Sequence, residues 1–270
     1  MGMARSINRY AGATMPGSCS FSSQACLRVR FSRVFQSLST YRRRSPLWPR
    51  RNSLSAVGRI LSAHPYEKKP IPFDQVAKEL GRLGFDGIEI GAFRPHIYPD
   101  DYPLAKERAG IRQMLKDAGL KVSGLAADFW GLSEGGEPCP PGVKGNEQRY
   151  VNVFKKNLQL CLDLGSPAIR VDTVEGPDAY TTASKRTAVM KQIAKVWREC
   201  AEIAAECRVR VTWEFEPGFI FNKPSEVLKM VNGVCHDNFG VLFDTCHAYM
   251  CSVVGARQVG KKETLKGGVV

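Results

Sequence analysis

Four side chains with the chemistry of divalent-metal ligands fall in one short stretch of this 270-residue sequence. Glu214 and Glu216 lie in V-T-W-E-F-E-P-G, and Asp244 and His247 in V-L-F-D-T-C-H. Hard carboxylate oxygens with one imidazole nitrogen suit Mg, Mn, Co or Zn. Both groups follow short apolar runs, and about one βα unit separates them. In a parallel α/β sheet or barrel, successive strands share a direction, so the four residues would gather on one rim at the C-terminal ends. Along an extended strand Glu214 and Glu216 face the same way, with Trp213 and Phe215 on the other side. A register slip of two residues would put Glu216 in the place of Glu214. Asp244 reads either as a ligand or as a cap on the loop that follows.

The elements needed to hold these groups can be read along the chain. Arg59–His64 is predicted as a first strand. A helix over 73–83, with Val76, Leu80 and Leu83 on its apolar face, stops at Gly84. A strand over 85–90 follows. The plan repeats with a helix at 105–118 and a strand at 121–125, then a helix at 146–164 and a strand at 168–171. A helix at 182–207 leads to a strand at 209–213, and a helix at 224–234 to a strand at 240–243. Six strands alternate with five helices, and neither G-x-G-x-x-G nor Walker A is present, which favours a (β/α) barrel over a dinucleotide-binding sheet. On that plan His64 ends strand one and His96 follows strand two, so both are candidates for substrate contact. Asp128 and Trp130 follow strand three, and Asp172 and Glu175 follow strand four. Arg170, inside strand four, is expected to pair within the barrel. Cys246 is expected to be a buried structural thiol.

Composition separates an extension from a body. The formal net charge is +13, but residues 1–66 contain eleven Arg, no Lys and no acid, the first acid being Glu67. The remainder carries 28 basic and 26 acidic residues, a net of +2. That near-neutral body argues against nucleic-acid binding. Residues 1–57, rich in Ser and Arg, have the make-up of an organellar transit segment or a disordered extension. A mitochondrial or a cytoplasmic location fits, and secretion does not, because there is no apolar signal core. No apolar run is long enough to span a membrane. Nine cysteines with no C-x-x-C pair give neither a zinc-finger pattern nor a disulfide framework.

G-F-D-G-I-E-I-G-A, A-G-L-K-V-S-G-L, W-E-F-E-P-G-F and F-D-T-C-H-A, in that order and spacing, resemble the sugar phosphate isomerase/epimerase proteins. These belong to the xylose isomerase-like TIM barrel superfamily, which includes endonuclease IV, and the resemblance covers about residues 58–270. It implies a (β/α)8 barrel with one divalent metal at its C-terminal rim, held by a Glu after strand five, an Asp after strand six, a His after strand seven and a Glu after strand eight. Glu214 and Asp244 match the first two ligands, and Glu214 also matches the base. His247 matches a position that touches substrate hydroxyls, a role also open to Glu216, His96 and His64. The expected activity is isomerisation or epimerisation of a sugar or sugar phosphate through an enediolate, which makes it carbohydrate metabolism.

Only 23 residues follow His247, so strands seven and eight are expected to be missing and the barrel truncated after about six units. A small-molecule sugar is the expected partner, with a homo-oligomer left open. Two other functions are weighed against this. Endonuclease IV-like cleavage of abasic DNA needs a histidine-rich metal cluster, and the chain has four His in all. A non-catalytic truncated barrel that binds a ligand or partner is the other.

Overall fold

Strands with alternating apolar residues and helices with one apolar stripe can pack in few ways, and the chain takes one of them. The computed structural model describes residues 68–131 and 136–266 and the strand at 55–57. Six strands form one sheet: β1 (Ser55–Val57), β2 (Gly87–Ala92), β3 (Lys121–Ala127), β4 (Ala168–Val171), β5 (Arg210–Glu214) and β6 (Phe239–Leu242). Their spatial order is their sequence order, and every neighbouring pair is parallel. Between them run helices α1 (Phe73–Arg82), α2 (Ala105–Asp117), α3 (Glu147–Leu164), α4 (Ala183–Glu206) and α5 (Pro224–Val234), and a short α6 (Thr245–Tyr249) follows β6. A doubly wound sheet reverses its strand order at a switch point, whereas a βα barrel does not. The fold is therefore of TIM-barrel type, with six βα units described.

Period-two alternation decides which side of each strand packs on the helices. Ile88 and Ile90 of β2, Ile169 and Val171 of β4, and Val211 and Trp213 of β5 are fully buried in the core. Trp197 of α4 seals that layer, with its ring 5.4 Å from Trp213 and 5.7 Å from Phe239 of β6. The alternate residues Glu89, Arg170, Thr212 and Glu214 fall on the other face of the same strands. That face is polar, and it carries the site.

Turn chemistry sets where the helices stop. Gly165 closes α3 at φ 75°, and Ser166 N–H donates to the Cys161 carbonyl at 2.8 Å. Arg208 makes the same left-handed turn after α4 at φ 59°, with a side chain in place of glycine. Two sequence readings are corrected. Helix α1 ends at Arg82, so Leu83 falls at its C-cap, off the buried stripe, and is 57% exposed. The first strand is at Ser55–Val57, paired with Gly87–Glu89, ahead of the 59–64 stretch expected for it. That stretch, His64 with it, and residues 1–54 lie outside the described residues. Among the described residues, no helix is long and apolar enough to cross a membrane.

Candidate metal centre

Parallel strands β5 and β6 deliver Glu214 and Asp244 to neighbouring positions at their C-terminal ends. Asp244 is the N-cap of α6, where one of its oxygens accepts the His247 backbone N–H at 2.8 Å. The two readings of Asp244 are thus compatible, because capping uses one carboxylate oxygen and leaves the other. The short α6 then turns His247 back toward the strand ends. Glu214, Asp244 and His247 each offer a ligand atom, and the three atoms lie within 4.8 Å of one another. With metal–ligand bonds of about 2.1 Å, ligands on opposite sides of one ion stand about 4.2 Å apart. Two carboxylates and an imidazole are a donor set that suits a divalent ion, and modest side-chain movement would close them onto one.

Neighbouring groups hold the candidates in place. Arg170 Nη1 donates to Glu214 Oε2, and both side chains are largely buried. The expectation that Arg170 pairs within the barrel is met. Glu216, two residues on, reaches His247, with Oε2 3.2 Å from Nε2. Burial pushes the Glu216 carboxyl up, and His247 opposes that shift. Burial likewise raises Glu89, with Arg170 pulling it down and Glu214 pushing it up. Burial pulls Arg170 down, yet Glu214, Asp172, Glu89 and Glu216 together hold it above its ordinary value.

Asp172 stands where β4 ends, beside Glu214. It is 1% exposed, and burial lifts its carboxyl to about 7 against the pull of Arg170. Oδ1 accepts Val174 N–H at 2.9 Å, whereas Oδ2 finds no partner among the described residues. Val174 sits at φ 64°, a conformation that costs a β-branched residue about 1–2 kcal/mol and recurs at functional sites.

The other candidates lie elsewhere. His96 is buried, with Nε2 2.8 Å from the Ile71 carbonyl and its ring against Phe73, outside the Glu214–Asp244–His247 group. Trp130 links Phe93 and Phe219 in a row of rings across the loops after β2, β3 and β5. Glu175 accepts the Tyr180 hydroxyl at 3.1 Å. Cys246 is exposed, which corrects its reading as a buried thiol: α6 turns His247 inward and so directs its neighbour out. Arg170 and Asp172 belong to the site more closely than the sequence indicated, and the signal was the A-I-R-V-D alternation that puts both on Glu214's face.

Residues 76–263 match the family described as xylose isomerase-like TIM barrel, more than half of the chain. The chain belongs to that family. No curated protein matches it. Among solved structures it is similar to an AP endonuclease, family 2, from Brucella melitensis, at 20% identity and a TM-score of 0.58, over 74% of this chain and 71% of that one. A D-psicose 3-epimerase studied in the presence of D-fructose is similar at 18% identity and a TM-score of 0.57, over 72% and 64%. An IOLI protein with a binding zinc atom is similar at 18% identity and a TM-score of 0.57, over 76% and 67%. At these identities the likeness is one of fold. This family member spans just under two thirds of the psicose epimerase.

Proposed function

We propose that the chain from β1 onward forms a catalytic domain, with the residues before Ser55 as a transit-like addition, which moves the boundary expected at residue 57 to before β1, and that the domain is a metal-dependent isomerase or epimerase of a sugar or sugar phosphate. The observation that carries this reading is the group of three ligand atoms from Glu214, Asp244 and His247 within 4.8 Å. The zinc in the IOLI structure supports a divalent ion, with Mn, Mg, Co and Zn all suited to the donors.

Isomerising a keto-sugar starts with loss of a proton from the carbon beside the carbonyl. Glu214 is the base: Arg170 holds one of its oxygens and fixes the orientation of the other. When bound, a divalent ion supplies Lewis-acid stabilisation of the charge that develops on the carbonyl oxygen. With His247 given to the ion, Glu216, paired to it at the rim, has the acceptor needed for a substrate hydroxyl. Abasic-DNA cleavage is the weaker reading, because this group holds one imidazole and His96 is engaged with the Ile71 carbonyl.

Manganese calorimetry on the intact chain tests the site, with Glu214→Gln and Asp244→Asn in parallel. Binding should weaken at least tenfold in each variant, and NMR in D2O should show deuterium entering a keto-sugar beside its carbonyl. Equal binding in all three proteins refutes the ligand assignment. Binding without exchange on any keto-sugar leaves the ligands and refutes the reaction.

A further inference from the structure

Arg170 is the cation of an otherwise acidic enclosure. Glu89 from β2, Asp172 from the end of β4, Glu214 from β5 and Glu216 just beyond it all act on its guanidinium. The enclosure is built for this. Glu89 pairs in register with Gly124 of β3, and its Oε1 lies 3.9 Å from where a Cβ on Gly124 would stand, with the Ala168 carbonyl of β4 at 4.0 Å from the same point, so its carboxylate lies over β3 on the side of β4. Asp172 adds a buried oxygen without a partner, held by a strained turn. Arg170 itself is bonded to Glu214.

We propose that Arg170 is a resident cation whose guanidinium takes the place of a second divalent ion among Glu89, Asp172, Glu214 and Glu216, and so restricts this chain to one metal, at Glu214, Asp244 and His247. The inference rests on the metal site proposed above. A guanidinium is permanently charged, planar and wider than an ion, so it holds carboxylates farther apart than a metal does. Among the described residues, the one group of three in metal-ligand range shares only Glu214 with the enclosure. The consequence is chemical. A single ion suits polarisation of a carbonyl or hydroxyl, whereas phosphodiester displacement commonly uses two ions to hold the attacking and leaving oxygens. Arg170 thereby favours isomerase chemistry over nuclease chemistry on this fold.

Manganese stoichiometry on the intact chain, by calorimetry and by EPR of unbound Mn, is the test. The wild type and Arg170→Lys should each bind one Mn. Arg170→Met should bind two, and Arg170→Met with Asp172→Asn should return to one. A single Mn in Arg170→Met at wild-type affinity overturns the proposal. If Arg170→Met is unfolded without metal, millimolar Mn must restore the wild-type circular dichroism, and failure to do so also overturns it. The two readings separate between the wild type and Arg170→Met. If the wild type binds no Mn while Arg170→Met binds one that Asp172→Asn removes, the proposed primary site fails and the resident-cation assignment stands.

Discussion

Arg186 of α4 offers the sharpest test of how the rim is held. Its guanidinium bonds Glu226 Oε1 through Nη2 at 2.7 Å and through Nε at 3.1 Å. Nη1 donates to the carbonyls of Pro177 and Tyr180, and Nη2 also donates to that of Ile220. Glu226 in turn caps α5, accepting Lys223 N–H at 3.2 Å. Side-chain exposures of 11% and 13% make this a buried pair that ties the loop after β4 to the loop after β5, which carries Glu216. Arg186→Met keeps the apolar stem and leaves Glu226 buried without its partner, a change that costs about 3–5 kcal/mol. A domain of this size loses about 2–4 °C of Tm per kcal/mol, so the melting point should fall by about 6–20 °C. Urea denaturation monitored by circular dichroism gives the energy directly. Arg186→Met with Glu226→Leu should recover most of the loss, because the stranded charge is then gone. A single variant within 1 kcal/mol of the wild type, or a double variant less stable than the single, would refute this account of the rim.

Three further outcomes follow from the packing and the titrating groups. Asp172 keeps its proton to about pH 7 when folded and releases it near pH 4 when unfolded, so the folded state binds more protons in that window. Stability should therefore fall as pH rises from about 4 to 7, by up to about 1.4 kcal/mol per pH unit from this group, and level off above. Asp172→Asn should remove that component in urea titrations with EDTA present, and an unchanged slope contradicts it. Alkylation followed by mass spectrometry should label exposed Cys246 in the native protein, while buried Cys161, its thiol lifted to about 12, stays unlabelled until denaturant is added. Gly81→Ala should destabilise by about 1–3 kcal/mol in thermal melts, because its Cβ would stand 2.1 Å from the Ala118 carbonyl oxygen, a backbone atom with little room to move.

Most of the fold could be read because its elements are punctuated locally. Helices α1, α2 and α3 each run into a left-handed glycine, at Gly84, Gly119 and Gly165, before the next strand. That signal needs no tertiary information. The misreadings lie where the local pattern under-determines the end. Leu83 continues the α1 periodicity by one residue, but the helix has closed at Arg82 and the stripe has nothing to face. Cys246 comes just after the apolar run V-L-F, yet the turn of α6 decides its side, and a five-residue helix carries too few residues to show a face.

Placement of the site was legible for the same reason, and its chemistry was not. Parallel strands fix that Glu214 and Asp244 share a rim, so the motifs W-E-F-E and F-D-T-C-H are enough to bring them together. They say nothing of charge balance, which depends on residues from three strands meeting across the sheet. Arg170 and Glu214 are 44 positions apart, and their contact exists only because β4 and β5 pair as Arg170↔Thr212, leaving the long arginine stem to reach one step along to Glu214. Glu89 joins them by lying over Gly124, its partner in register on β3. Each of these residues taken alone reads as an ordinary strand-end charge. Together they put a permanent cation where carboxylates converge, and that cation fixes how much further positive charge the rim can take.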